Sequence, residues 1–337
     1  MTSGRYELHC HLDGSVRPDT IADLAVEAGI ELAGPVRARA VAPPDVGSLH
    51  AFLSYLDVAL DVLQTPSALR RAARELVQDW YADGVAYGEA RFAPQLHGRL
   101  GMSVDEAVTA VDAGLREGHA ATGVRTALLL CCLRHQSPEV GLRVADAAVR
   151  FARPANAVSP AAGTAVSPAA GTAGPVVAGL DLAGDERLPG APHRAAFDLA
   201  HAAGVPVTVH AGEAAGPASV WEAIDVLGAR RIGHGVRCVT DPALVARLRT
   251  DRIALETCPR SNVLTRAVKD LTAHPVDRLL RAGLRVTVST DGRTTADTTL
   301  EQEFADLRRV FGWTAEQEER CRVNADEAAF AARDPLT

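Results

Sequence analysis

The chain has 337 residues, which suits one large domain with a substantial buried core, and its formal charge of −7 arises from interspersed acidic and basic residues. This charge argues against a general binder of nucleic acid or of other polyanions. No apolar run approaches the ~18 residues that a membrane helix needs, and the N-terminus has no apolar segment typical of a secretion signal. The sequence therefore predicts a cytoplasmic protein with neither a nucleic-acid nor a membrane partner.

Apolar runs of strand length alternate along the chain with longer amphipathic segments. The strand-like runs are residues 6–9, 85–92, 126–133, 176–182, 205–210, 231–234, 253–257 and 284–289. Apolar residues at helical spacing predict helices at 18–28, 67–81, 103–121, 138–151, 192–203, 218–227, 242–248, 275–282 and 300–311. This alternation predicts an α/β fold, a (β/α)8 TIM barrel with its site at the C-terminal face of the strands. A doubly wound open sheet is the alternative, but it would not bring the first and last strands together.

One segment departs from this alternation. Residues 157–164, with the sequence AVSPAAGT, are repeated without change at 165–172. The stretch has no amphipathic period and is rich in Pro, Ala and Gly, a composition typical of a flexible loop. We therefore expect a single domain over 1–337 with a flexible low-complexity insertion at 153–175. A tolerated surface expansion is favoured over a partner-binding role, because an αβ connection lies on the barrel face opposite the site.

A His-x-His pair lies close to the N-terminus, in the segment ELHCHLDG at 7–14. If the first strand extends to His11, His9 and His11 are alternate residues that point the same way, so both imidazoles can bind one metal ion. Taken alone, the pair is equally compatible with histidines that hold no metal. Other segments decide between the two interpretations.

Polar residues suited to metal or acid-base chemistry stand at the ends of three later strands. His210 closes the fifth predicted strand with Glu213 shortly after it, His234 ends the sixth, and Asp291 follows the eighth. A single polar residue at a strand end is more often a loop or cap residue. A barrel, however, projects all of these side chains into one mouth, where imidazoles and a carboxylate make a plausible site for a divalent metal.

Several segments, in chain order, resemble the successive motifs of the adenosine deaminase family. They are residues 7–14, 87–97, 181–186, 210–213, 231–235, 256–262 and 289–291. The resemblance implies a metal-dependent barrel of the amidohydrolase superfamily that hydrolyses the 6-amino group of a purine nucleoside and releases ammonia. It also implies one Zn²⁺ per chain and a small-molecule purine nucleoside as the partner. The oligomeric state stays open.

The resemblance assigns roles residue by residue. The zinc-ligand positions fall on His9, His11, His210 and Asp291. Zinc suits such chemistry because it lowers the pKa of bound water from about 15.7 toward roughly 7. Glu213 takes the position of the proton donor to purine N1, and His234 that of the residue that orients or deprotonates the attacking water. Glu256 takes the position of an acidic residue behind the site, with a role in orienting His234.

The resemblance also assigns substrate contacts, to His11, Asp13 and Gly184. Gly184 takes the position whose backbone N–H meets purine N3, and a glycine allows close approach of a ring to the main chain. Asp13 takes the position near the ribose 5′-hydroxyl. An Asx turn at Asp13–Gly14 is the alternative interpretation of that aspartate.

The chain departs from the family pattern directly after Asp291. Most members have a second aspartate there, placed to interact with purine N7, whereas this chain has Gly292 followed by Arg293. The loss of such a hydrogen bond costs about 0.5–1.5 kcal/mol unless Arg293 or water fills the gap, so substrate choice is affected more than catalysis.

Three alternatives to the deamination of adenosine or 2′-deoxyadenosine stay open. The first is deamination of a modified adenine nucleoside, such as an aminodeoxyfutalosine-like or specialised-metabolite nucleoside. The second is a non-deaminating amidohydrolase, against which the pairing of Glu213 with Gly184 argues, because these residues would serve N1 and N3 of a purine. The third is a nucleoside-binding protein without turnover, which the complete set of site residues disfavours.

Overall fold

The computed structural model describes residues 4–152 and 176–331. Within these ranges the strands are β1 (Arg5–His11), β2 (Val85–Phe92), β3 (Arg125–Leu133), β4 (Gly179–Ala183), β5 (Thr208–Ala211), β6 (Arg231–His234), β7 (Ala254–Thr257) and β8 (Arg285–Val288). The α-helices are α1 (Pro18–Ala28), α2 (Val36–Ala40), α3 (Leu49–Leu53), α4 (Asp57–Val62), α5 (Pro66–Ala82), α6 (Val104–Thr122), α7 (Pro138–Phe151), α8 (Arg194–Ala202), α9 (Pro217–Asp225), α10 (Pro242–Thr250), α11 (Pro259–Leu264), α12 (Val276–Arg281), α13 (Leu300–Phe311) and α14 (Ala315–Ala328). Each predicted strand and helix has its counterpart, with ends that differ by up to three residues.

The strands form a closed ring. All neighbours are parallel and follow chain order, β1 to β4 in one sheet and β5 to β8 in the other. A bridge between Leu180 and Val207 joins the first sheet to the second, and a bridge between Cys10 and Asp291 joins β1 to the segment after β8. The TIM barrel prediction is thus confirmed, and the open-sheet alternative is wrong because the first and last strands meet.

Alternation along the strands separates the apolar core from the barrel interior. On β2, Ala90 and Phe92 belong to the apolar core that the strands share with the helices. Glu89 and Arg91, at the alternate positions, point to the opposite side and are fully buried inside the barrel. The interior under the site is therefore charged, which requires that these charges be paired.

Two of the longer helices begin at caps that the sequence supplies. The Thr65 hydroxyl accepts a hydrogen bond from the N–H of Ala68 at the start of α5, where proline occupies the first helical position. At the start of α6, Ser103 and Glu106 form a capping box. These local signals explain why the predicted starts of both helices lie within one residue of the observed ones.

The sequence analysis missed five helices, α2, α3, α4, α11 and α14. The first four have five or six residues each, too few for a helical period to be visible. α14 is longer, but only Cys321 and Ala325 along it are buried, so its sequence lacks a clear apolar stripe. It packs against β1 and β8, where the Tyr6 hydroxyl donates a hydrogen bond to Asp326.

Two sequence-based expectations concern membranes and the repeat. None of the helices found in residues 4–152 and 176–331 has the length and apolar character needed to cross a membrane. The predicted flexible insertion at 153–175 lies outside the described residues. The single-domain organisation stays a prediction.

Gly114 allows α5 and α6 to pack closely, which gives a test of the helical layer. A Cβ at this position would lie 2.2 Å from the carbonyl oxygen of Arg70. We expect Gly114→Ala to lower the free energy of unfolding by about 1–3 kcal/mol, because a clash with main chain outweighs the gain in helix propensity. Denaturant unfolding measures the change. Gly216→Ala is the control, since a Cβ there meets no atom within 4 Å, and equal stability of the two variants would contradict the close packing.

Candidate active site

The residues predicted for the site meet at the carboxyl ends of four strands. His9 and His11 lie on β1, His210 lies on β5, His234 is the last residue of β6, and Asp291 follows β8. Ring nitrogens of His9, His210 and His234 and a carboxylate oxygen of Asp291 all lie within 4.8 Å of one another. Barrel closure therefore brings together side chains from both ends of the chain.

The donor atoms around the centre of this cluster suit a divalent cation. His11 Nε2 lies 3.1 Å from His210 Nε2 and 3.5 Å from Asp291 Oδ1. His9 Nε2 lies 3.4 Å from the same oxygen and is buried with no hydrogen-bond partner among the described residues. Burial lowers the pKa of His11 well below its usual value, so its imidazole is neutral and has a lone pair to share. Imidazole and carboxylate donors of this kind bind divalent transition metals.

Buried carboxylates hold two of these imidazoles from behind. His9 Nδ1 lies 2.7 Å from Glu256 Oε2, and His210 Nδ1 lies 3.1 Å from Asp181 Oδ1. The guanidinium of Arg91 joins the two carboxylates, at 3.1 Å from Asp181 and 2.8 Å from Glu256. Such bonds fix the ring orientation and the tautomer, so each Nε2 faces the centre of the site with its lone pair.

Glu256 contacts a different histidine from the one predicted. Its side chain points into the barrel interior, where Oε2 meets His9 and Oε1 lies 2.6 Å from Arg231 Nε. Burial alone would raise the pKa of Glu256, but Arg91 and Arg231 outweigh it and hold the pKa well below its usual value. The expectation that Glu256 orients His234 is wrong, and Glu256 is instead the buried anion behind His9.

His234 is held by a different group, through a relay of hydrogen bonds that fixes its tautomer. The N–H of Val276 donates to His274 Nδ1, at 3.1 Å, so the ring proton of neutral His274 lies on Nε2. That nitrogen lies 3.2 Å from Asn262 Oδ1, to which it donates. The amide nitrogen of Asn262, a donor only, then faces His234 Nδ1 at 3.0 Å. His234 in its neutral form therefore presents an Nε2–H donor to the site.

Glu213 lies beside His234 in the same pocket. Its Oε2 is 3.6 Å from His234 Nε2, and its Oε1 accepts a hydrogen bond from the Thr265 hydroxyl at 2.7 Å. Burial, followed by the negative charge of Asp291, raises the pKa of Glu213 to about 8. The carboxyl is therefore protonated at neutral pH and can act as an acid.

Two site residues adopt a left-handed backbone conformation. His234 has a φ of 63° and Asp291 a φ of 66°, although neither is glycine. Each such conformation costs on the order of 1–3 kcal/mol and persists only where the surroundings enforce it. Two hydrogen bonds hold Asp291 in this conformation. Ser261 Oγ donates to its carboxylate at 2.6 Å, and its carbonyl oxygen accepts from the N–H of His11 at 2.6 Å.

A narrow cavity leads from the cluster to the segment that contains α3. Its polar lining comes from the site, and its apolar lining comes from Leu49, Phe52, Leu53 and Leu56. Its volume of about 50 Å³ is smaller than a purine, so ligand binding requires part of the lining to move. The lining supplied by residues 4–152 and 176–331 contains no lysine or arginine.

The predicted substrate contacts differ in how they relate to this cavity. Gly184 lines it and has a φ of 94°, a conformation that requires glycine and brings bare main chain to the ligand space. Asp13 is buried, and its Oδ1 accepts a hydrogen bond from the N–H of Gly14 at 3.1 Å. This bond goes to the next residue, whereas an Asx turn bonds the N–H two residues on, so the Asx turn and the ribose contact both stay predictions.

Gly292 lies against the main chain of Gly14. A Cβ at position 292 would be 3.0 Å from the carbonyl oxygen of Gly14, tighter than an ordinary contact. The guanidinium of Arg293 is bound elsewhere, at 2.8 Å from Asp83 Oδ2. Arg293 therefore does not take the place of the second aspartate in this conformation.

The structure adds residues that the sequence analysis did not assign to the site. They are Arg91, Asp181, Glu186, Ser261, Asn262, Thr265 and His274. Most of them lie in the segments that resemble family motifs, so their position there was the available signal. Thr265 and His274 lie outside those segments, and only the folded chain shows their contacts.

Comparisons with known proteins find the same family along almost the whole chain. Residues 5–159 and 164–335 match a protein family described as adenosine deaminase. A curated adenosine deaminase of Mycobacterium ulcerans is 38% identical over 97% of this chain and 90% of its own length. Another, of Enterococcus faecalis, is 36% identical over 98% of this chain and 93% of its own length.

Solved structures with the same architecture include an adenine deaminase from Arthrobacter aurescens. It superposes with a TM-score of 0.86 at 28% identity and covers 98% of this chain and 95% of its own. An amidohydrolase from Burkholderia ambifaria, solved with bound Zn, has a TM-score of 0.83 at 26% identity, over 98% of this chain and 86% of its own.

The contact between Glu256 and His9 can be tested by removing one charge. We expect Glu256→Gln to lower the free energy of unfolding by about 3–5 kcal/mol, because Arg91 and Arg231 lose a shared buried partner. We also expect about 10–100-fold weaker Zn²⁺ binding, since His9 loses its orienting carboxylate. Denaturant unfolding and Zn²⁺ titration against a competing chelator measure the two effects. Glu27→Gln, at an exposed carboxylate, is the control, and unchanged Zn²⁺ affinity in Glu256→Gln would contradict the assignment.

Proposed function

Because this chain belongs to the adenosine deaminase family, we propose that it hydrolyses the 6-amino group of adenosine or 2′-deoxyadenosine to give the inosine product and ammonia. The family and its deaminase relatives identify the chain as a hydrolytic aminohydrolase. The observation that carries the proposal for this site is a buried, protonated Glu213 beside His234, next to a cluster of imidazoles and one carboxylate. This combination serves an acid-assisted attack by water on an electron-poor ring carbon.

We propose that one Zn²⁺ is held by His9, His11, His210 and Asp291. The metal dependence of the family supports this assignment, as does His9 Nε2, which is buried without a hydrogen-bond partner in the part of the chain that the structure describes. The bonds from Glu256 and Asp181 support it further, because they aim both Nε2 lone pairs at one point. When bound, such a cation makes water acidic enough to supply a nucleophile at neutral pH.

Glu213 would supply the proton that the purine ring needs. Protonation of N1 draws electrons from C6, which then accepts the attacking oxygen. After giving up its proton, the same carboxylate can take one from the attacking water and pass it to the departing amine, and the second proton of the water restores the acid form. Its pKa of about 8 fits this role, because the group is protonated before attack and the proton is held loosely enough to transfer.

His234 would donate a hydrogen bond rather than accept a proton. The relay through Asn262 and His274 places its ring proton on Nε2, the nitrogen that faces Glu213 and the site. A donor there orients the attacking water and stabilises the negative charge that develops on its oxygen. Of the two roles open for this position, the geometry favours orientation over deprotonation.

The cavity favours a nucleoside or a free base over a nucleotide. Arginine and lysine are the strongest side-chain partners of a phosphate, and the described lining contains neither. The backbone of Gly184, bare of any side chain, would meet N3 of the ring. Gly292 leaves the N7 side of the ring without a side-chain partner, and this gap favours a purine altered near N7 as a second candidate substrate.

A spectrophotometric assay tests the proposed reaction. Zinc-loaded protein mixed with adenosine, 2′-deoxyadenosine or adenine is expected to lower the absorbance near the adenine maximum, fastest for a nucleoside. Glu213→Gln should keep its Zn²⁺ and lose at least about 100-fold in kcat, the usual contribution of a general acid. No change with any of the three substrates would refute the reaction, and near-normal turnover by Glu213→Gln would remove Glu213 as the acid.

The pH dependence of kcat/KM tests the protonation state of Glu213. The acid form is active, so activity is expected to fall as the pH rises through the pKa of Glu213, which burial raises above its usual value. Thr265→Val removes a hydrogen bond that lowers the pKa of Glu213. The fall of kcat/KM on the alkaline side of the pH profile should therefore move to higher pH. Thr272→Val, at an exposed threonine that bonds Asp270, is the control. A downward shift in Thr265→Val would contradict the assignment.

Binding of a purine without N7 tests the consequence of Gly292. Glu213→Gln, in which turnover is expected to be at least about 100-fold slower, allows dissociation constants to be compared for adenosine and 7-deazaadenosine. We expect the two to agree within about threefold, because no side chain at position 292 can lose a hydrogen bond worth about 0.5–1.5 kcal/mol. A dissociation constant for the deaza compound more than about tenfold higher would mean that another group contacts N7.

A further inference from the structure

Glu186 holds the backbone of the segment that carries Glu213. It lies after β4, and its side chain reaches across to the residues that follow β5. Its carboxylate accepts hydrogen bonds from four consecutive backbone N–H groups, those of residues 212–215, and from the hydroxyl of Ser219. The distances to the N–H groups of Glu213 and Ala215 are both 2.9 Å.

A single carboxylate thus binds the backbone of one short segment. Residues 212–215 belong to no helix or strand, and the φ of 72° at Gly212 turns the chain so that successive N–H groups converge. Glu186 itself is only 5% exposed, so water does not compete strongly for these donors. Hydrogen bonds to a buried carboxylate are among the stronger ones in proteins. The path of the segment is therefore set by Glu186 to a large degree.

We propose that Glu186 is a positioning residue for proton transfer, which fixes the direction in which Glu213 enters the site. The inference rests on the proposed role of Glu213 as the acid. It goes beyond that role, because Glu186 does not line the ligand cavity and acts only through the main chain it holds.

The negative charge of Glu186 also supports the proposed role of Glu213 as an acid. Burial and Asp291 are the main causes of the raised pKa of Glu213, and the nearby negative charge of Glu186 adds to them. His210 opposes them and Thr265 stabilises the ionised form. Glu186 therefore favours the protonated acid while it fixes the loop.

A double-mutant cycle separates positioning from a general structural role. Glu186→Gln replaces one carboxylate oxygen by an amide nitrogen, which cannot accept the backbone N–H groups that it would face. We expect kcat to fall about 10–100-fold with KM within about threefold, because displacement of an acid by ~1 Å has effects of this size. In the Glu213→Gln background the same change should lower kcat by less than about twofold, since residues that act as a unit are not additive.

Zn²⁺ content and a neighbouring variant complete the design. Zn²⁺ stoichiometry is expected to stay at the wild-type value in every variant, because His210 precedes the held segment. Asp185→Asn, which removes an adjacent carboxylate that pairs with exposed Arg187, is the matched control and should retain wild-type kcat. Glu186→Asp, which keeps the charge, should recover part of the activity.

The outcomes distinguish failure of this inference from failure of the proposed function. Equal losses of kcat in the two backgrounds, wild-type kcat in Glu186→Gln, or a loss of Zn²⁺ parallel to that of kcat would overturn the positioning role. Near-normal kcat in Glu213→Gln would instead overturn the proposed function. If Glu186→Gln does not fold, Ser219→Ala removes one donor to the carboxylate and should show a smaller loss that vanishes in the Glu213→Gln background, and an equal loss there would overturn the inference.

Discussion

The site depends on buried charges that are stable only as a complete set. Arg91 bridges Asp181 and Glu256, and those carboxylates orient His210 and His9. Inside a dry barrel an unpaired member of this set would cost several kcal/mol, on the order of 3–5. The geometry of the imidazoles is therefore coupled to the stability of the whole barrel, because the guanidinium of Arg91 links the carboxylates behind both rings.

Closure of the barrel is the second constraint. Asp291 reaches the histidines only because the segment after β8 bonds to β1. Glu7 reinforces this junction, since its carboxylate accepts hydrogen bonds from the N–H and hydroxyl of Thr290 and from the N–H of His9. Any ligand that bridges the two strand ends will also stabilise the closed barrel, because it binds the folded chain and not the unfolded one.

The sequence predicts features that repeat locally, and misses those made by a single long-range contact. Buried parallel strands read as continuous apolar runs, so the barrel and the residues at its strand ends could be recognised. The partner of Glu256 could not, because the choice between His9 and His234 depends on which way a side chain crosses the interior. Glu186 was visible in a motif, yet its role depends on main-chain donors of a segment that folds beside it.

The left-handed conformations of His234 and Asp291 set stability against the proposed activity at these two positions. Glycine at either position would relax the backbone and remove the group on which the proposed chemistry depends. The site thus stores strain that a purely structural barrel would not keep. A change to glycine that raises thermal stability at either position would therefore abolish the proposed activity.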